Sequence, residues 1–233
     1  MDKDTPGRHD PAESAGGSYS EFLNQLEAQK QAKERLRAEA RELYSEDGQP
    51  SLPESFVAYL DSLGTQEAMK SFTNDDLMSL IQDNDDLTWF LHGDRDDYRQ
   101  RFLSFSDNVA VGTPVDTSYG DGGLLNTVFS VATYQLNRVV RGRFLRGGIA
   151  RGLLYMDDRH AVGPALVEAV LVEEKLAIYP RVIVTDEAMR DVGVELAYYA
   201  DPWESPHNRY LARDADSVFV NYPPRYRGRC AVA

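Results

Sequence analysis

The chain reads as an α+β protein in which helices cover an antiparallel sheet with ferredoxin-like connectivity. Three observations predict this. Apolar runs of strand length recur at residues 56–60, 101–115, 143–155, 181–184 and 217–222. Segments with helical apolar spacing lie between them, above all 124–139 and 164–175. The resulting order, β-α-β-β-α-β-α-β, combines single strands, one hairpin and covering helices.

Residues 1–17, rich in Gly, Pro, Asp and Ser, are expected to be disordered. Ser18 and Glu21 make a capping-box pattern ahead of an amphipathic helix. Phe22, Leu26, Leu36, Ala40 and Leu43 share one face of it, interrupted by Gln29 and Lys33. Its apolar ends call for burial against the same domain or a dimer mate. Residues 45–53 contain Gly48, Pro50 and Pro53 and read as a linker. The expected division is therefore an N-terminal helical extension, 1–50, and a main domain, 51–233.

Within the main domain, Phe56 to Leu60 is a strand, and a loosely built helical region begins after Gly64. Residues 83–97 form an acidic stretch expected to loop. Leu125, Val128, Phe129, Ala132 and Leu136 share one face of a helix. The segment 143–155 carries Gly147, Gly148 and Gly152, a pattern for a strand that bends or admits close backbone approach. Gly163-Pro164 opens the next helix, with proline in its favoured first turn. Thr185 caps a short helix after the strand at 181–184.

Composition narrows the function. A net charge of −13 over 233 residues argues against general binding to nucleic acid or an anionic membrane. It leaves room for a nucleotide pocket where cations and a few arginines reverse the local field. The single cysteine, Cys230, excludes an internal disulfide framework and thiolate-clustered metals. His9, His92, His160 and His207 lack ligand spacing. The N-terminus lacks signal-peptide character, and no apolar run approaches the ~20 residues that span a bilayer. A cytoplasmic protein is expected.

Asp61 ends an apolar strand just before a turn at Gly64, where the amides of Leu63, Gly64, Thr65 and Gln66 can converge on an anion. Asp107 lies in the hairpin turn between two apolar strands. Singly, each has an ordinary structural reading: Asp61 as a helix cap, Asp107 as turn chemistry. Their joint occurrence on adjoining core strands favours a pair of carboxylates that hold hard cations. Arg146, on a third strand beside Gly147 and Gly148, supplies the forked donor that suits phosphate. No lysine occurs between Lys70 and Lys175, so any cation the central stretch gives the site is arginine, histidine or metal. Together these are the parts of a two-metal phosphoryl-transfer site.

Across roughly residues 54–190 the chain resembles the class III nucleotidyl cyclases. Tyr59-Leu60-Asp61-Ser62-Leu63-Gly64 is similar to that family's first metal strand and phosphate turn, and Phe105-Ser106-Asp107 to its second metal hairpin. The run Leu145 to Gly152 resembles its strand with a triphosphate-binding arginine, and Gly163 to Ala169 its dimer-interface helix. The purine-reading lysine and aspartate of the family fall on Leu103 and His160. On the wider pattern, including Tyr179-Pro180-Arg181, the chain most resembles the pyrimidine cyclases of bacterial Pycsar antiphage systems.

The resemblance implies conversion of UTP to cyclic UMP, with CTP as the alternative substrate and a separate effector that responds to the cyclic nucleotide. It implies two divalent cations, Mn²⁺ or Mg²⁺, held by Asp61, Asp107 and the Ser62 carbonyl, and a homodimer with pockets at the interface. Arg146 and the amides of residues 63–66 would take the triphosphate, with Tyr59 and Arg101 as base contacts. The family's transition-state asparagine and arginine fall on Val167 and Leu171, which donate no hydrogen bonds. Either other arginines, such as Arg143 or Arg151, substitute, or the domain is a catalytically inactive nucleotide sensor. The intact aspartate pair favours an active enzyme.

Overall fold

Two short strands, β1 (Ser45–Glu46) and β2 (Gln49–Pro50), precede the long central strand β3 (Glu54–Ser62). The others are β4 (Arg101–Phe105), β5 (Asn108–Pro114), β6 (Leu145–Leu153), β7 (Tyr155–Met156), β8 (Ala161–Val162), β9 (Val182–Val184), β10 (Leu211–Arg213) and β11 (Val218–Val220). Among the described residues the helices with both ends placed are α1 (Thr65–Ala68), α2 (Leu124–Val140), α3 (Pro164–Leu176) and α4 (Pro206–Tyr210), and residues 74–82 are also helical. This computed structural model describes residues 23–24, 27–28, 30–31, 42–82, 100–118, 120–157, 159–193 and 205–222.

Contacts divide the chain into residues 1–41 and 42–233. In the first unit, residues 23–24, 27–28 and 30–31 are helical and exposed. The capping box at Ser18 and Glu21, the stripe residues Phe22, Leu26, Leu36 and Ala40, and the stretches 1–17 and 83–97 lie outside the described residues, as does Cys230.

The second unit is built on a seven-stranded sheet in the order β10-β11-β9-β6-β3-β5-β4. The α+β architecture is the one the sequence predicts. One strand pair, β6 with β9, is parallel, because α3 intervenes between the two strands and returns the chain in the same direction. The middle of β3, Phe56 to Leu60, is continuously apolar because both faces are covered there. Phe56, Ala58 and Leu60 pack with Val109, Val111, Ile149 and the α2 residues Leu124, Val128 and Val131. Val57 packs on the other face with Ala110, Ala150 and the α3 residues Ala165 and Ala169. Tyr59 lies partly buried against that second cluster.

Residues 45–53 are not a linker. Asp47 and Gly48 take positive φ and turn a β1–β2 hairpin, and Tyr44 just before it is 1% exposed in the α3-side core. A tyrosine ring with this much apolar area outweighs the local turn chemistry. The β7–β8 hairpin, α4 and β10 are likewise elements that periodicity over short segments does not reveal. Among the described residues, no helix is long and apolar enough to cross a membrane.

Candidate active site

The site face follows from strand register. Asp61 pairs with Asn108 on β5 and with Arg146 on β6, so these side chains share the face that Tyr59 and Val57 occupy. The β4–β5 loop is two residues, Ser106 and Asp107, because Phe105 pairs with Asn108. Ser106 takes φ 57°, the left-handed value such a tight hairpin needs at its first loop position. Burial raises the pKa of the Tyr59 hydroxyl, and the charges of Asp61, Glu173, Asp107 and Glu174 raise it further. All four carboxylates therefore act on one phenol. The Phe105 ring lies 6.4 Å from that of Tyr59.

Arg146 is engaged rather than free. Its Nε donates to Asp61 Oδ2 at 3.0 Å, and Glu173 Oε1 lies 2.7 Å from the same nitrogen. Glu173 comes from α3 and is 4% exposed. Burial lifts its pKa, opposed by the Arg146 charge and reinforced by those of Asp61 and Glu174. α3 reaches this position because β6 carries glycine beneath it. A Cβ at Gly148 would sit 2.5 Å from the Ala169 carbonyl oxygen.

The turn after Asp61 differs in part from its sequence reading. Gly64 takes φ 81°, where only glycine is unstrained, and no side chain caps α1. The Leu63 amide donates to the Phe144 carbonyl at 2.9 Å, which leaves the amides of Gly64, Thr65 and Gln66 at the first turn. The Ser62 carbonyl accepts from Thr65 Oγ1 at 2.9 Å, so a cation would have to share it. Beneath the turn, on the opposite face of the sheet, buried Arg138 donates from Nη2 to Ser62 Oγ at 3.2 Å.

Other sequence-singled residues lie elsewhere. Arg101 is buried and pairs with Gly112, which pairs with Val57, roughly 13 Å along the strand from Asp61. Its charge acts on the hydroxyls of Tyr44 and Tyr155. Leu103 pairs with Ala110, the residue opposite Tyr59, and packs in the α3-side cluster. His160 is exposed and turned to Asp157 at 3.1 Å. Val167 is 60% exposed and Leu171 partly buried on α3. Arg151 does not substitute for them. Its guanidinium lies over Phe56, on the α2 face of the sheet, bonded to Glu54 and Asp191. Arg143 donates to Ser79 Oγ at 3.0 Å.

Among the described residues, no cluster of three or more His, Cys, Asp and Glu forms a ready-made metal cage. Asp61 and Asp107 still fit a hard cation of the kind that takes one or two carboxylates and fills its shell from phosphate and water. Asp107 has no hydrogen bond or ion pair among the described residues. Sequence reasoning missed Glu173. Its signal is an acidic pair, Glu173-Glu174, ending an otherwise apolar run, which becomes informative once Gly148 brings α3 onto β6.

No family model matches the chain, and no curated protein matches it. Solved structures do. A bacterial light-regulated adenylyl cyclase aligns with TM-score 0.52 at 13% identity, over 92% of this chain and 67% of that one. The guanylyl cyclase Cya2 aligns with TM-score 0.48 at 14% identity, over 74% and 95%. At such identities it is the fold that is shared: sheet and helices are arranged as in a nucleotidyl cyclase domain.

Proposed function

We propose that the protein is a nucleotidyl cyclase that converts a pyrimidine nucleoside triphosphate, UTP ahead of CTP, to its cyclic monophosphate and pyrophosphate. The observation that carries the reading is that Arg146 is bonded to Asp61 on one face of a cyclase-like sheet, with Asp107 in the turn next to Asn108, the residue paired with Asp61. Two divalent cations, Mn²⁺ or Mg²⁺, held by Asp61 and Asp107, would lower the pKa of the ribose 3′-hydroxyl and neutralise the leaving pyrophosphate. Arg146 and the amides of Gly64, Thr65 and Gln66 bind and orient the triphosphate tail. Pyrimidine preference is supported by Leu103, which offers a base no hydrogen bond, and by His160, which is occupied with Asp157. Tyr59 is the base contact nearest the carboxylates, and Arg101 serves only a base that reaches past it.

The working unit is proposed to be a homodimer with two shared pockets. Exposed Val167 and Phe105 are apolar residues suited to such an interface. The product would act on a separate cyclic-nucleotide-activated effector in antiphage defence, and a gene for such an effector beside this one would support that role. A second reading rests on Val167 and Leu171: with no donor at either position, the domain would bind a triphosphate and release no pyrophosphate. Purified protein incubated with each of UTP, CTP, ATP and GTP plus Mn²⁺ separates the readings. Cyclic UMP or cyclic CMP supports the proposal; cyclic purine product alone refutes the pyrimidine assignment, and binding without turnover supports the sensor.

A further inference from the structure

The Nε of Arg146 carries one hydrogen and faces two carboxylates. That hydrogen is directed to Asp61 Oδ2 at 3.0 Å, while Glu173 Oε1, though 2.7 Å from the nitrogen, makes no hydrogen bond and is buried. A buried carboxylate oxygen without a donor is costly to maintain, so its position calls for an explanation. The two Nη groups of Arg146 make no hydrogen bond among the described residues, and the side chain is 32% exposed. Among the described residues the guanidinium is thus held by its Nε edge alone.

We propose that Glu173 is a positioning residue: it takes over the Arg146 Nε hydrogen when Asp61 turns to a divalent cation, so that the guanidinium stays fixed with its Nη groups toward a polyphosphate. This rests on the reading of the face as a triphosphate site. Asp61 is asked to do two things, to bind a cation and to anchor Arg146, and a carboxylate oxygen drawn onto a cation is a weaker acceptor. Glu173 already lies within bonding distance, and α3 is packed directly on the sheet at Gly148, which brings that carboxylate close to Arg146. A small rotation of the donor completes the exchange.

The test is titration of the full chain with inorganic tripolyphosphate and Mg²⁺ by calorimetry, using Glu173→Gln, Glu173→Asp, Arg146→Ala and the Glu173→Gln/Arg146→Ala double variant. Glu173→Gln is expected to weaken binding about tenfold, the worth of a charge-assisted hydrogen bond. In the Arg146→Ala background the same change should alter affinity less than about twofold. The sign is decisive. Removing a negative charge near a polyanion would tighten binding by simple electrostatics, so unchanged or tighter binding by Glu173→Gln overturns the proposal. An equal loss in the Arg146→Ala background also overturns it. Should circular dichroism show Glu173→Gln unfolded, Glu173→Asp, which keeps the charge and loses reach, must weaken binding, and wild-type affinity there overturns the proposal. Failure of the wild type itself to bind Mg²⁺–tripolyphosphate removes the triphosphate reading first, which keeps the two failures distinct.

Discussion

Gly148 offers a direct measure of how tightly α3 is set on the sheet. It pairs with Tyr59 on one side and Ile183 on the other, and its Cα faces α3. In Gly148→Ala the new methyl would stand 2.5 Å from the Ala169 carbonyl oxygen and 2.8 Å from Val172 Cβ and Cγ1. The carbonyl is backbone and cannot rotate away, so α3 must lift by roughly 1 Å in a close-packed interior. Overpacking of this kind costs about 1–3 kcal/mol, which lowers Tm by roughly 2–12 °C for a unit of this size. Gly152→Ala is the control, four residues along the same strand and on the same face. There the methyl meets Ala165 Cβ at 3.4 Å, an ordinary contact. Reduced unfolded-state entropy then dominates and raises Tm by about 1–4 °C. Differential scanning calorimetry of the two variants reads the difference. Lifting α3 also carries Glu173 away from Arg146, so Gly148→Ala should lose tripolyphosphate affinity and Gly152→Ala should not. A Gly148→Ala protein as stable as wild type, or equal destabilisation of both variants, would refute the packing argument.

The division of the chain gives a second expectation. A 42–233 fragment should keep its stability in urea to within about 1 kcal/mol, whereas 51–233 loses buried Tyr44 and should fall by about 3–5 kcal/mol. Equal stability of the two fragments would show the β1–β2 hairpin to be an accessory. Asp107→Ala, at a partly exposed turn residue without a described partner, should change stability by less than about 0.5 kcal/mol and abolish cyclisation. Asp61→Ala should also abolish cyclisation, and product formation by either variant would remove the metal assignment. Buried Asp121 accepts from His207 Nε2 and from the amides of Gly123 and Leu125, each at 2.8 Å. Burial alone would raise its pKa, but these hydrogen bonds hold it below the ordinary value. A lowered folded pKa contributes stability above the unfolded value and loses it as pH falls through the folded one. Asp121→Asn should therefore cost about 2–4 kcal/mol at pH 7, with the gap to wild type narrowing below about pH 4. Urea unfolding at both pH values checks this, and a gap that persists undiminished at the lower pH would count against it.

Much of this fold was legible in the sequence because its long elements carry their own periodicity. The helical spacing of Leu125, Val128 and Ala132 and the proline after Gly163 set α2 and α3 to within a residue or two of their observed ends. The hairpin around Ser106-Asp107 was legible for the same reason, since two apolar strands leave only those residues to turn. What escaped depends on tertiary contact. Tyr44 looks like a linker neighbour until its ring is seen in the core. Arg101 shares a face with Leu103 because alternate strand residues point the same way, but that alternation carries no information on distance along the strand or on burial. Arg151 sits in the same glycine-rich run as Arg146, yet one odd-numbered step in register turns it to the other face, where Glu54 and Asp191 consume it. Glu173 becomes visible only when a helix and a strand far apart in sequence are brought together.

The charge balance at the site bears directly on how a protein of net charge −13 could hold a triphosphate. Asp61, Asp107, Glu173 and Glu174 all act on the Tyr59 hydroxyl, and Arg146 is the cation paired among them. Among the described residues around Tyr59, four carboxylates against one guanidinium leave the local field negative. Two like charges 5 Å apart at an effective dielectric of 20 repel by about 3 kcal/mol, and a polyphosphate meets several such pairs. The carboxylates therefore exclude the ligand unless divalent cations arrive with it. In excess chelator, wild-type protein should show no binding of inorganic tripolyphosphate, and Mg²⁺ should restore it. The double variant Asp61→Asn/Asp107→Asn should behave in the opposite sense: cation-dependent binding falls, while weak cation-independent binding becomes measurable because two repelling charges are gone. Equal wild-type affinity with and without chelator would mean that the carboxylates do not face the bound phosphates, and the site would have to be sought on another surface.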